Sequence, residues 1–291
     1  MQQIPDYSHP DFAWTAPAKL NLFLHITGRR EDGYHLLQTI FQFVEFGDKL
    51  FFEVTRDGKI SLSPKLDGVD ESENIIVKAA KLLQQKTGTP FGVNIELEKR
   101  IPMGGGLGGG SSNAATTLLA LNKLWNIHFD KQQLMELGIT LGADVPVFIY
   151  GQTAWAEGVG EKLKTVTAPE SWYVIIFPRV NINTGTIFSS EELTRDKLPI
   201  RIRDFLDGTT ENVFETIVSK RYPEVKEAIN WLSQFSKTKL TGTGACIFAS
   251  FETEQHAQEI AKQVPAKWQA FVTKGSNKTN IERFYWGVAK R

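Results

Sequence analysis

Apolar residues recur at a spacing of two in several stretches of the chain, and this spacing predicts β-strands. Residues 13–52 are rich in Phe, Leu, Ile and Val and carry turn signals at residues 32–34 and 47–49. Residues 93–97 alternate between apolar and polar side chains, the pattern of a half-buried strand. Further strands are predicted over residues 148–158, 172–177 and 270–274.

Other stretches place their apolar residues on one face of a helix. Ser72 is the expected N-cap of the first of these helices, which ends near Thr87 and Gly88. The predicted helices cover residues 72–88, 114–125, 131–137, 225–235 and 254–263.

The order of these elements predicts two α+β domains rather than a regular alternation of strand and helix. Each domain is expected to hold an antiparallel sheet that helices cover on one face. A break near residues 163–170 sets the expected boundary. The first domain then covers residues 1–165 and the second covers residues 166–291.

The composition narrows the function classes. Thirty-three Lys and Arg residues balance thirty-three Asp and Glu residues, so the net charge is zero, which disfavours a nucleic-acid partner. The single cysteine, Cys246, cannot close a disulfide within the chain or build a cysteine-rich zinc site. No apolar stretch approaches the roughly 18–20 residues of a membrane span, and the first residues resemble no targeting peptide. We therefore expect a cytoplasmic protein without a membrane partner.

The sequence GGGLGGGSS at residues 104–112 lies between a predicted strand and a predicted helix. Such a loop exposes backbone N–H groups at a helix N-terminus, which favours a phosphate ligand. Ser111 and Ser112 are expected either to cap the helix or to place a hydroxyl on a phosphate or its magnesium ion. A flexible connector is the alternative for the loop as a whole. The dinucleotide and Walker patterns do not fit, because the preceding strand is charged and alternating and no Gly-Lys-Ser/Thr follows the glycines.

The segment PMGGGLGGGSSNAA at residues 102–115 resembles the central motif of the GHMP kinases. Four other segments resemble, in order and spacing, the members of that family that act on a cytidine diphosphate-linked alcohol. These segments are PAKLNLFLHITGRREDGYH at residues 17–35, LGADVPVF at 141–148, AEGVGE at 156–161 and LTGTGACIFA at 240–249.

This resemblance implies a two-domain GHMP kinase fold. Its N-terminal domain would be of the ribosomal-S5-like domain 2 type with a left-handed βαβ crossover, and its C-terminal domain would be ferredoxin-like. The implied reaction is phosphorylation of the 2-hydroxyl of 4-diphosphocytidyl-2-C-methyl-D-erythritol by ATP with Mg²⁺, in the non-mevalonate route to isoprenoid precursors. The implied partner is this small molecule alone, and the implied assembly is a monomer or a weak homodimer.

The resemblance also implies roles for individual residues. Lys19 and Asp144 match the catalytic pair, in which Asp144 would accept the proton of the hydroxyl and Lys19 would favour the developing anion. The ATP-phosphate loop matches Pro102, Met103, Gly104, Gly105, Gly106, Leu107, Gly108, Gly109, Gly110, Ser111 and Ser112. The substrate positions match Asn21, Tyr34, His35, Thr184, Phe188, Gly242 and Gly244. Gly185 stands where the family more often has proline.

Several of these residues could instead have a purely structural role. Asp144 suits a turn beside Gly and Pro, Phe188 suits a core, and Gly242 with Gly244 suits a bulge before an apolar strand. The scattered histidines show no metal-ligand spacing, so the sequence identifies no metal ligand. Two other functions stay open: a homoserine or mevalonate type of kinase, which needs no nucleoside pocket, and a nonenzymatic RNA-binding module.

Overall fold

The computed structural model describes residue 9 and residues 11–66, 68–202, 205 and 210–281. The expected domain ends at Met1 and Arg291 lie outside these residues. The strands are β1 (Trp14–Arg29), β2 (His35–Thr55), β3 (Ile60–Ser63), β4 (Gly92–Glu98), β5 (Ala154–Glu157), β6 (Lys162–Thr165), β7 (Trp172–Phe177), β8 (Thr238–Leu240), β9 (Ile247–Phe251) and β10 (Gln269–Ser276). The helices are α1 (Ile75–Thr87), α2 (Gly109–Leu124), α3 (Lys131–Leu141), α4 (Val145–Tyr150), α5 (Thr184–Phe188), α6 (Glu215–Arg221), α7 (Pro223–Leu232) and α8 (Glu254–Ala261).

The N-terminal half is built around the long strand β2. This strand pairs antiparallel with β1, β4 and β5, while β3 and β4 form a parallel pair joined through α1. Helices α1 and α2 pack against each other, and α2 also contacts β1 and β2. Their apolar faces meet the sheet in a core that includes Phe43, Leu50, Val93 and Leu118.

The C-terminal half holds the strand order β10-β7-β9-β8, and its neighbouring strands are antiparallel. This order, with a helical connection after β7 and another after β9, is that of a ferredoxin-like sheet. Helices α7 and α8 contact this sheet. The core between them includes Val174, Phe214, Leu232 and Ile247.

The two halves share one continuous sheet. Gly275 and Ser276 at the end of β10 pair with Val44 and Phe43 of β2. A third core, which includes Leu20, Phe23, Ile175 and Phe248, draws on strands from both halves. The α+β class is therefore confirmed, but two separate sheets were expected and the strands of the described residues join into one.

Three local predictions were wrong. Gly47 does not end a strand: β2 runs through it, and an added Cβ there would collide with the carbonyl of Ala16 in β1. Asn74, not Ser72, caps α1, because its side chain accepts the backbone N–H of Ile76. Residues 148–150 belong to α4 rather than to a strand, and strand structure begins at β5.

Among the described residues, the structure contains no helix that is both long enough and apolar enough to cross a membrane.

Candidate active site

A cleft of about 1040 Å³ lies where the two halves meet. Its walls come from β1, the turn after β1, the glycine loop, the start of α4, helix α5 and the loop after β8. The cleft brings together the predicted phosphate loop, catalytic pair and cytidine residues. Those of them that line it are Lys19, Asn21, Tyr34, His35, Pro102–Ser111, Asp144, Thr184, Phe188 and Gly242, whereas Ser112 and Gly244 lie behind the lining.

Lys19 and Asp144 face each other in this cleft. The Lys19 side chain on β1 is only 3% exposed, and its Nζ is 3.6 Å from Oδ2 of Asp144. The same Nζ donates to Asn21 Oδ1 at 2.6 Å and to the Gly106 carbonyl at 3.0 Å. Burial lowers the pKa of the Lys19 ammonium, and the carboxylate of Asp144 opposes that shift. Three oxygens therefore surround the ammonium, and of these only the oxygen of Asp144 belongs to a charged group.

Asp144 precedes α4 but does not cap it, since its side chain accepts no backbone N–H of the helix. Its carboxylate is 36% exposed and opens into the cleft. A carboxylate that is free of capping bonds and reachable from the cleft is able to accept a proton.

Asn21 lies beside Lys19. Its Oδ1 accepts from Lys19, and its Nδ2 donates to Thr39 Oγ1 at 3.0 Å. The side chain is 1% exposed. Its contacts therefore orient the lysine, and a contact with cytidine stays a prediction.

The glycine loop packs tightly on the loop that follows β8. The carbonyls of Gly104 and Gly105 accept the backbone N–H groups of Ala245 and Cys246 at 3.2 and 3.0 Å. Gly106 has a φ of 73°, and an added Cβ would collide with the carbonyl of Thr241. The first three glycines of the loop therefore permit close backbone packing, which a flexible connector would not need.

The second half of the loop starts α2. Gly108, with φ of 74°, is the N-cap, and an added Cβ would lie 2.7 Å from Phe148 Cζ and 3.1 Å from Lys19 Cε. Ser111 and Ser112 lie inside the first turn, so the prediction that they cap the helix was wrong. Ser112 Oγ is buried and has no hydrogen-bond partner. The N-terminus of this 16-residue helix opens toward Lys19 and favours an anion there.

Gly242 and Gly244 pack on protein rather than lie in open space. Gly242 has a φ of 56°, and an added Cβ would lie 2.9 Å from the carbonyl oxygen of Gly106. At Gly244 the Cβ would lie 3.1 Å from Leu240 Cδ1. Of the two, Gly242 lines the cleft, and both hold the glycine loop in place.

Aromatic rings meet at the other end of the cleft. The rings of His35 and Phe188 lie 5.1 Å apart, and Phe188 also packs edge-on against Phe214 at 4.8 Å. Tyr34 stands in the turn after β1 and is 62% exposed. Thr184, at the start of α5, shares a 3.0 Å hydroxyl contact with Thr243. Phe188 is thus both a packed residue and a wall of the cleft.

The sequence interpretation missed a buried ion pair beneath the glycine loop. Asp48 is fully buried and accepts from Lys99 Nζ and from the backbone N–H groups of Arg100 and Ile101, each at 2.7 Å. Burial lowers the pKa of Lys99, and Asp48 opposes that shift. Lys99 lines the cleft. The sequence signal for Asp48 was a turn signal, which concealed its role.

Two further residues were missed. Thr243 lies between the two glycines of the loop after β8 and lines the cleft. Arg195 lies in an irregular segment after α5, and its Nε donates to His35 Nε2 at 3.1 Å. Thr243 stands within the LTGTGACIFA segment, of which only the glycines were assigned a role, and no periodicity or motif marks Arg195.

Within the described residues, no group of three or more His, Cys, Asp or Glu side chains is arranged to hold a metal ion.

Comparisons with known proteins agree with this geometry. The sequence of the GHMP kinases N terminal domain matches residues 74–152, and that of the GHMP kinases C terminal region matches residues 197–270. The 4-diphosphocytidyl-2-C-methyl-D-erythritol kinase of Hahella chejuensis is 52% identical over 92% of this chain and 94% of that protein. The protein of that name from Pseudomonas aeruginosa strain LESB58 is also 52% identical, over 92% of this chain and 95% of its own length. The chain belongs to the 4-diphosphocytidyl-2-C-methyl-D-erythritol kinase family.

Solved structures place this family within a wider fold. A crystal structure of 4-(cytidine 5'-diphospho)-2C-methyl-D-erythritol kinase superposes with a TM-score of 0.78 at 36% identity, over 91% of this chain and 99% of that one. A mevalonate kinase superposes with a TM-score of 0.68 at 16% identity, over 92% of this chain and 100% of that one, and shows the fold alone. The two-domain GHMP kinase fold is confirmed, and family membership makes the protein an ATP-dependent small-molecule kinase.

Proposed function

We propose that the protein transfers the γ-phosphoryl group of ATP to the 2-hydroxyl of 4-diphosphocytidyl-2-C-methyl-D-erythritol, in the non-mevalonate route to isoprenoid precursors. The observation that carries this proposal is the position of the Lys19 and Asp144 pair. It lies in one cleft with a phosphate-type loop and with a cluster of aromatic rings. The substrate names of the relatives supply the identity of the alcohol.

The ATP phosphates would bind at the start of α2, from Pro102 to Ser112. Backbone N–H groups and the positive end of the helix dipole favour anionic oxygens there. Beyond the loop, the cleft is lined by the apolar side chains of Leu66, Val69, Ile75 and Ile76, a surface suited to a nucleobase.

Asp144 would accept the proton of the attacking hydroxyl as the new O–P bond forms. An alcohol is a weak nucleophile, and phosphoryl transfer is accelerated mainly by positioning and by charge stabilisation. Lys19 would orient the hydroxyl and stabilise negative charge that develops on the transferred group. Asn21 and the Gly106 carbonyl keep the ammonium aimed at this point.

The cleft also fits a magnesium ion, because Mg²⁺ is commonly held by one or two protein oxygens together with substrate phosphates. The protein oxygens at the cleft are the Asp144 carboxylate and the Ser111 hydroxyl, and Ser112 Oγ lies buried behind them without a hydrogen-bond partner. When bound, the ion would neutralise charge on the β- and γ-phosphate oxygens.

The cytosine would bind between Tyr34 and Phe188, against His35. Tyr34 exposes a flat ring beside the cleft, and His35 offers a polar edge next to Phe188. Aromatic faces stack on a base, while imidazole and backbone groups read its polar rim. Thr184, with Gly242 at the adjoining wall, would contact the middle of the substrate.

A coupled assay of ATP consumption with a panel of alcohols tests this function. We expect turnover with the cytidylyl methylerythritol and negligible turnover with homoserine or mevalonate, because the aromatic end of the cleft is built for a base. Protein of the Asp144→Asn variant, purified in the same way, controls for contaminating kinases. Equal turnover of mevalonate would refute the substrate assignment.

The remaining expectations are proposals as well. A boundary between residues 165 and 166 is supported by the end of β6 at Thr165 and the start of β7 at Trp172. A cytoplasmic location agrees with a cysteine that is buried and free. A monomer or a weak homodimer suits a cleft that one chain completes, and a zero net charge argues against a nucleic-acid partner.

A further inference from the structure

Arg195 makes an unusual set of contacts at the aromatic end of the cleft. Its Nε donates to His35 Nε2 at 3.1 Å, across the junction between the two halves. One terminal nitrogen donates to the carbonyls of Phe188 at 3.1 Å and Ser190 at 2.6 Å, and the other donates to the Leu193 carbonyl at 3.2 Å. One guanidinium therefore donates hydrogen bonds to both walls of the proposed cytosine site, at His35 and at Phe188.

The bond from Arg195 sets the tautomer of His35 as well as the position of its ring. A guanidinium has donors and no acceptor, so Nε2 of His35 must be the unprotonated nitrogen of a neutral ring. The ring proton then lies on Nδ1, which makes Nδ1 a donor. A fixed donor pairs with an acceptor such as N3 of cytosine, whereas uracil presents an N–H at that position.

The charges around His35 act in the same direction. Partial burial lowers the pKa of the imidazole, and the cationic side chains of Arg195 and Arg29 lower it further. The neutral ring is therefore favoured by electrostatics as well as by hydrogen-bond geometry.

The Phe188 wall depends on the same arginine. Phe188 ends α5 and Ser190 follows two residues later, and Arg195 donates to the carbonyls of both. A second arginine, Arg221, donates to Ser190 Oγ at 2.6 Å, and none of its described bonds is to His35. Arg221 thus offers a matched comparison, because it anchors the same segment without contact to the imidazole.

We propose that Arg195 is a positioning residue for base recognition: it holds His35 as the neutral Nδ1–H tautomer and sets the spacing between His35 and Phe188. This inference rests on the proposed function, because the base that the pair reads is the cytosine of the substrate. Arg195 acts through His35 and Phe188 and has no role in the phosphoryl transfer step itself.

The experiment compares Arg195→Met, Arg195→Lys and Arg221→Met with the wild-type enzyme. The pKa of His35 is measured by NMR titration without substrate, and its resonance among the five histidines is assigned with His35→Gln. Steady-state kinetics then give kcat and the KM values for ATP and for the cytidine substrate between pH 5.5 and 8.

We expect Arg195→Met to raise the pKa of His35 and to raise the KM for the cytidine substrate about tenfold, since one hydrogen bond to a charged donor is lost. This KM should be partly restored as the pH falls through the new pKa, because a protonated imidazole carries a proton on Nδ1, while kcat and the KM for ATP stay unchanged. Arg195→Lys retains the charge but not the fork, so its KM should lie between those of Arg195→Met and the wild type. Arg221→Met should leave the pKa of His35 unchanged.

An unchanged pKa of His35 in Arg195→Met would overturn the proposal. So would an Arg221→Met variant with the same rise in KM, because anchoring of α5 would then explain the effect. The pKa measurement needs no substrate, so it tests the hold of Arg195 on the neutral imidazole even if the enzyme phosphorylates a different alcohol and the proposed function fails.

Discussion

Oδ2 of Asp144 lies 3.6 Å from Nζ of Lys19, although one residue begins α4 and the other belongs to β1. Charge-assisted N–H···O bonds are typically about 2.7–2.9 Å long, so the two groups are neighbours without a tight ion pair. Asn21 and Gly106 occupy the shorter bonds of the lysine. The carboxylate therefore keeps acceptor capacity for a hydroxyl that enters between them.

Replacement of Asp144 by Asn tests the proton acceptor. The change preserves shape but removes the carboxylate, so kcat should fall by roughly 10²–10⁴ while the KM for ATP changes little. Asp130→Asn is the matched control, since Asp130 caps α3 and Asn caps a helix equally well. Steady-state kinetics with thermal unfolding separate the two effects.

Near-normal kcat in Asp144→Asn would assign Asp144 to the turn alone. Lys19→Met should lower kcat too, and the double variant should lose less than the product of the single losses if both side chains act on one hydroxyl. Multiplicative losses would contradict that shared action.

Much of this cleft could be predicted from the sequence, because the residues with a proposed chemical role lie in short local motifs. Lys19, Asp144 and the glycine loop each carry a distinctive neighbourhood, and the structure brings them together. The strands at residues 93–97 and 172–177 were visible as well, because one or both faces of these strands are buried.

The features that the sequence does not predict depend on contacts between distant segments of the chain. The sequence predicts a turn at Gly47 because glycine beside Asp is a turn signal, whereas the constraint on Gly47 is the close passage of Ala16. Asp48 and Lys99 form a buried pair that no spacing in the chain announces. The contact between Arg195 and His35 forms only when the segment after α5 lies beside the start of β2.

Gly106→Ala tests the packing of the glycine loop on the loop after β8. The positive φ and the collision with Thr241 should reduce the free energy of unfolding by roughly 1–3 kcal/mol and raise the KM for ATP. Gly28→Ala is the control, because an added Cβ there meets only Leu36 Cδ1 at 3.5 Å. Urea unfolding and ATP kinetics give the two quantities, and equal behaviour of both variants would argue that the loop is pliable.

Phe188→Leu tests the aromatic wall of the proposed cytosine site. The loss of ring stacking, worth about 1–3 kcal/mol per base, should raise the KM for the cytidine substrate roughly five- to 150-fold and leave the KM for ATP unchanged. The control is Phe235→Leu, which removes a ring that is 36% exposed and does not line the cleft. If both KM values rose together in Phe188→Leu, the residue would be a core residue and no more.

Gly185→Pro restores the residue that the family more often carries. Gly185 lies in the first turn of α5 and does not have a positive φ, so the backbone suits proline. The free energy of unfolding should rise by about 0.4–1 kcal/mol, because proline restricts the unfolded chain. Chemical denaturation measures this change, and a destabilised variant would show that the turn cannot accept the ring.

Lys239 gives the fold a dependence on pH. Its Nζ donates to the Leu22 carbonyl at 2.8 Å, and burial lowers its pKa from 10.5 to about 8. Between these values the unfolded chain binds more protons than the native one, so the contribution of Lys239 to stability rises with pH. The unfolding free energy of the wild type minus that of Lys239→Gln should therefore rise from pH 8 to 10.5. A flat difference for Lys239→Gln would contradict the burial effect.

The joint between β10 and β2 bears on how the chain matures during synthesis. β10 follows every other described strand, yet its last residues pair with β2, one of the first strands to be made. While translation continues, that segment of β2 stays an open edge, and open edges invite pairing with other chains. The continuous sheet that joins the two halves is therefore completed only after β10 emerges from the ribosome, and until then this segment of β2 is exposed to misassembly.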